Sequence, residues 1–164
     1  MTRAAARRRS GGSLGLVAAM PHGFAVGREE GEPLRFSDAS FLVKASAETT
    51  GGSFSIVEEI APLDTPRHVH AHEDELFIVL DGEHEFTVGD TVYDVGPGAV
   101  VFAPRGVPHS HRRVVPRTGR FLTLVSPTGF EGFFRELSES EQDGTIGPEA
   151  YARASERYGV TWLG

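Results

Sequence analysis

In the stretch RHVHAHEDELF, residues 67–77, histidines recur at every second position and three acids follow. Side chains at i and i+2 of an extended chain point the same way, so His68 and His70 share a face with Cα atoms ~6.6–7 Å apart. Two imidazoles at that spacing can converge on one cation through bonds of ~2.0–2.1 Å. Glu75 comes four residues later, after room for a tight turn, and can swing back beside the pair. A second stretch, GAVVFAPRGVPHSHRR over 98–113, bends at Pro104 and Gly106 and sets His109 at the start of a strand. A closed barrel can bring such a distant segment to the same cation. Imidazoles and a carboxylate without thiolate suit a divalent Fe, Ni, Zn, Cu, Co or Mn ion.

The elements that must position these groups are short strands. The pattern predicts strands over 34–36, 40–45, 54–60, 67–70, 76–80, 84–88, 91–95, 100–102, 110–114 and 120–125, separated by turn signals such as LDGE, VGDT and VGPG. Many short strands at even spacing argue for an all-β sandwich or barrel. The period then changes. Phe130, Phe133, Phe134 and Leu137 fall on one helical face. Pro148–Tyr158 reads as a second helix, with Pro148 in its first turn and Gly159 as its cap. Both helices are expected to pack on the barrel or on a partner chain, with the phenylalanines serving as core. The division expected is a disordered tail over 1–20, a β-barrel over 21–127 and a helical extension over 128–164.

Two patterns in this chain resemble the cupin motifs. The first is His68-x-His70, four residues, Glu75, six residues, Gly82. The second is Gly98, five residues, Pro104-x-Gly106, two residues, His109. Both occur in order and at matching spacing. The resemblance implies a cupin jelly-roll β-barrel with one or two C-terminal helices, and one divalent metal ion held by His68, His70, Glu75 and His109. It departs at Pro62 and Arg113, where glycine and asparagine are common. Neither position carries a ligand in the pattern, so only the pocket edge is affected. A looser likeness over 126–137, SPTGFEGFFREL, points to the single-domain, quercetin dioxygenase-like group. That likeness implies a dioxygenase acting on an aromatic or enolic, flavonol-like small molecule, with Glu75 as both ligand and catalytic base. Two alternatives stay open: a non-redox isomerase, cyclase or lyase of a polyketide-like substrate, and a non-catalytic small-molecule-binding cupin. A homodimer is expected, because open jelly rolls leave strand edges that need cover.

An inward set of Phe54, Phe77, Val79, Phe86 and Phe102 is expected to line a mostly apolar pocket, suited to a planar organic ligand. His111 shares parity with His109 and is expected to join it. His84 either faces the pocket or is a core histidine bonded to backbone. His72 reads as a rim or surface residue, and His22 has no role.

Composition narrows the field further. The 164 residues are 39% hydrophobic and 24% charged, enough for one globular domain. A net charge of −7 disfavours nucleic acid as a partner. With no cysteine, disulfides, thiolate metal sites and cysteine nucleophiles are excluded. No apolar run reaches the ~18 residues of a membrane span, and a cytoplasmic location is expected. The N-terminal MTRAAARRRSGGSLGLVAAM superficially suggests a leader, but its apolar part is short. A tail or start-site extension is the favoured reading, with Met20 an alternative start.

Overall fold

A computed structural model of the chain describes residues 22–114 and 119–164, with 113 and 114 described by their backbone. The tail, leader and start-site readings for 1–20 lie outside the described residues. Among the described residues, eleven strands and three helices follow in chain order: β1 (Glu32–Phe36), β2 (Ala39–Ala45), α1 (Ala47–Thr50), β3 (Ser55–Ile60), β4 (Thr65–His70), β5 (Asp74–Asp81), β6 (Glu83–Val88), β7 (Thr91–Val95), β8 (Val100–Ala103), β9 (His109–Val114), β10 (Arg120–Ser126), α2 (Glu131–Gln142), α3 (Pro148–Tyr158) and β11 (Val160–Trp162). They form two antiparallel sheets, β1-β2-β3-β10-β5-β8 and β11-β4-β9-β6-β7. This is the jelly-roll arrangement that the sequence implied.

Period-2 alternation builds the larger sheet. In β2, Ala39, Phe41, Val43 and Ala45 are buried while Ser40, Leu42 and Lys44 are half-buried on the other face. In β10, Phe121, Thr123 and Val125 face inward. One core cluster joins Phe77, Val79, Phe86, Val101, Ala103 and Phe121 at the closed end of the barrel. The other joins β1–β3 to Phe130, Phe133, Phe134 and Leu137. Each of those large side chains stabilises the fold by about 1.5–3 kcal/mol through burial. The helical extension therefore shares the barrel's own core: α2 packs on β1 and β3, and α3 packs on α2 and β11. Pro148 sits in the first turn of α3, and Gly159 takes φ 69° at its C-cap, a left-handed conformation that favours glycine.

Two expectations fail on β3 and β8. Phe102 is 55% exposed and points outward, while Val101 and Ala103 face in. This strand is apolar on both faces, so hydrophobicity could not set its parity. Phe54 precedes β3 and is half-buried; Ser55, Val57 and Glu59 hold the inward parity instead.

Candidate metal centre

Strand parity brings the four ligand candidates together. His68 and His70 are buried alternate residues of β4, Glu75 is the second residue of β5, and His109 opens β9 opposite His68. The second motif is tied to the first at two points. Gly106, at φ 75°, donates its backbone N–H to the His70 carbonyl at 2.9 Å. Arg105 donates from its backbone and its guanidinium to Asp74 at 2.9–3.0 Å. These links set the distance between the strand bearing His109 and the pair on β4.

The potential ligand atoms of His68, His70, Glu75 and His109 all lie within 4.8 Å of one another, and all four residues are buried. Glu75 Oε2 is 2.8 Å from His109 Nε2 and 3.4 Å from His70 Nε2. The other ring nitrogens of His68 and His109 are accounted for. His68 Nδ1 is 2.8 Å from the Pro66 carbonyl and His109 Nδ1 is 3.0 Å from the Val107 carbonyl. A carbonyl only accepts, so both Nδ1 atoms carry hydrogen, and neutral rings present Nε2 lone pairs to the centre. A lone pair facing a carboxylate oxygen at 2.8 Å is repulsive unless a proton or a cation lies between them. His70 Nδ1 and Glu73 Oε2, 3.7 Å apart, are buried without a hydrogen-bond partner, as a carboxylate orienting a ligating imidazole would be before it tightens. Three imidazoles, one carboxylate and this outer carboxylate fit a divalent ion.

Electrostatics agree. Burial disfavours the charged form of His68 and, with His109 beside it, pushes its pKa down to about 4. Burial also opposes ionisation of Glu75, but His70 and then His109 outweigh it and hold the carboxyl at about 2. For His70 burial is likewise opposed, and Glu75 and Glu73 raise the pKa.

Beside the cluster lies a cavity of about 150 Å³. Phe77 and His111 line it as expected from parity, and burial lowers His111 to about 4. Val79 and Phe86 do not reach it; they are fully buried in the core cluster beneath. Phe54 and Phe102 lie away from it. His84 is a core histidine, with Nε2 3.1 Å from the Asp81 carbonyl. His72 and His22 are exposed.

Much of the wall comes from residues that sequence reasoning had treated as core or passed over. Phe130, Phe133 and Phe134 line the cavity, with Tyr151 from α3 and Val160 and Trp162 from β11. Strand β11 pairs with β4, Trp162 opposite His68, and their rings lie 5.1 Å apart. Glu59 also lines the cavity. Its parity with Ser55 and Val57 was the available signal.

Comparison with known proteins agrees with this geometry. The family model described as a cupin domain matches residues 56–125. No curated protein matches the chain. Among solved structures, KdgF from Halomonas sp. superposes with a TM-score of 0.59 at 17% identity, covering 68% of this chain and 99% of that one. A predicted oxalate decarboxylase from Thermotoga maritima gives 0.57 at 21% identity, covering 63% and 99%. The nucleoside dehydratase Pac13 from Streptomyces gives 0.53 at 12% identity, covering 68% and 88%. At these identities the likeness is one of fold. Both motifs, the double sheet and the family match lead to one assignment: residues 56–125 of this chain form a cupin domain.

Proposed function

We propose that this cupin is a metal-dependent enzyme, a dioxygenase acting on a small aromatic or enolisable molecule. The observation that carries the reading is the buried His68, His70, Glu75, His109 cluster beside a largely apolar cavity. A divalent ion held by those four would supply Lewis-acid activation of an enol or phenol oxygen and, if redox-active, of dioxygen. The chain's own residues do the rest. The Pro66 and Val107 carbonyls lock His68 and His109 in one tautomer. Phe133, Phe134 and Trp162 line the cavity with aromatic carbon against which a ring can pack. Glu75, ionised across the neutral range, is placed to take the proton of a substrate hydroxyl, weakly so at its low pKa. The cavity is smaller than the ~300–1,000 Å³ usual for drug-sized ligands, which favours a one-ring substrate over a three-ring flavonol.

A non-redox proton-transfer enzyme is the second reading, favoured by the buried carboxyl of Glu59 in the same cavity. Proteins of similar fold described as a nucleoside dehydratase and a predicted oxalate decarboxylase illustrate how little the fold alone decides. The test is metal analysis of the purified protein, then oxygen uptake with catechol, acetylacetone and quercetin. One ion per chain and oxygen consumption with a small substrate are expected. Failure of the protein to hold any metal sinks both readings. Metal-loaded Fe, Ni, Co, Cu and Mn forms that consume no oxygen with any of the three sink the dioxygenase, and anaerobic product formation then tests the second reading.

A further inference from the structure

One buried acidic group in the cavity stands among aromatic rings without a cationic partner among the described residues. Strand β3 carries two adjacent glutamates that face opposite ways. Glu58, on the outer face, is held by Lys44 at 3.0 Å and Arg120 at 2.6 Å. Glu59, on the inner face, is 7% exposed, and among the described residues no lysine or arginine pairs with it. Its Oε1 accepts a hydrogen bond from Thr123 Oγ1 at 3.0 Å. Around it stand the aromatic side chains of Phe41 and Phe121, its neighbours on β2 and β10. The cavity it lines is shared with His68, His70 and Glu75. Burying a carboxyl without a cation is costly and adds nothing to packing that a leucine would not. Buried carboxyls of this kind, set in a cavity, cluster at ligand-binding sites.

We propose that the Glu59 carboxyl group is a second substrate-binding pole, donating a hydrogen bond to an acceptor oxygen of a molecule whose other oxygen functions sit at the His68, His70, Glu75, His109 cluster. The inference rests on the metal-site reading above and narrows its substrate class. The substrate is a small ring-bearing molecule with oxygen functions at both ends, of the hydroxyaryl ketone type. The carboxyl is available as a donor because burial, with the Glu75 charge adding to it, pushes its pKa up to about 8. A cation at the cluster would offset the Glu75 contribution, and burial still opposes ionisation. When negative charge builds on the acceptor oxygen, the Glu59 O–H bond breaks and a substrate O–H bond forms. The carboxylate left behind keeps its bond from the Thr123 hydroxyl.

A matched pair of probes tests this. Both 3,4-dihydroxyacetophenone and 4-ethylcatechol present a catechol to the cluster, and they differ in having a carbonyl or a methylene at the far end. Their dissociation constants are read from the visible absorption bands of the Co(II)-loaded protein. The ratio favouring the acetyl probe is expected to be about five- to tenfold in the parent protein. It should persist in Glu59→Gln, whose amide still donates, and collapse in Glu59→Leu. A ratio near one in the parent protein, or a ratio unchanged in Glu59→Leu, overturns the Glu59 assignment while leaving the metal site standing. If neither catechol perturbs the Co(II) bands, the open-cation-site reading falls, and the Glu59 proposal falls with it.

Discussion

Glu59 makes a prediction that needs neither metal nor substrate. Its carboxyl stands at about 8 in the folded chain against an ordinary value of 4.5. The folded protein therefore holds a proton that the unfolded chain has already released over that interval. The contribution of Glu59 to stability is fully present below about pH 4.5 and is lost as pH rises through about 8. Roughly three and a half units at about 1.4 kcal/mol each place the loss on the order of 5 kcal/mol at pH 9. For a domain stable by ~5–15 kcal/mol that is a large fraction. Glu59→Gln keeps shape and hydrogen bonding but cannot ionise. The variant should match the parent at pH 4.5 and exceed it by about 3–5 kcal/mol at pH 9. Urea denaturation of the chelator-treated proteins at pH 4.5, 7 and 9 reads the difference directly. His68 and His111 titrate at the acid end in both proteins and cancel between them. Parallel stability curves, offset by a constant amount, would mean that Glu59 ionises freely in the fold. The claim of an enclosed, uncompensated carboxyl would then be wrong.

Three further outcomes are expected. His70→Ala should abolish metal binding while keeping the far-ultraviolet circular dichroism of the parent; full occupancy in that variant would mean the ion sits elsewhere. His111, near 4 in the fold and near 6.5 when unfolded, makes the parent lose stability as pH falls from about 6.5 toward 4, on the order of 3 kcal/mol. His111→Phe, packed against Phe77, Phe86 and Phe121, should flatten that loss in urea titrations at pH 7 and 4.5; an unchanged slope refutes it. The homodimer of the sequence reading we now propose to form through the outer face of the larger sheet, where Phe102, Leu76, Leu124 and Ile56 lie in one cross-strand row. Val100 and Phe102 there are 57% and 55% exposed. Light scattering should show a dimer for the parent and a monomer for Phe102→Glu, and a monomeric parent would sink the proposal.

What the sequence made legible, and what it did not, divides along the reach of each signal. Ten strands were readable because alternation and turn residues act within a few positions, and His68 and His70 could be placed on one face by the same rule. Strand β11 was not, because VTW is three residues long and forms only as the partner of β4. Phe102 misled because β8 is apolar on both faces. Glu58 and Glu59 look alike in sequence; the register of β3 between β2 and β10 decides which of them meets Lys44 and Arg120 and which meets the cavity. The phenylalanines at helical spacing were readable as buried, but not as facing a ligand cavity, since that depends on β11 drawing α3 back across the mouth. The motif residues thus specify where a cation could be held. The residues that line the cavity beside it, Glu59, Phe133, Phe134, Tyr151 and Trp162 among them, come from four elements joined only by topology. Substrate choice in this fold therefore rests on contacts that no local pattern encodes. Two chains with identical cupin motifs can for that reason differ in substrate without differing in a single ligand.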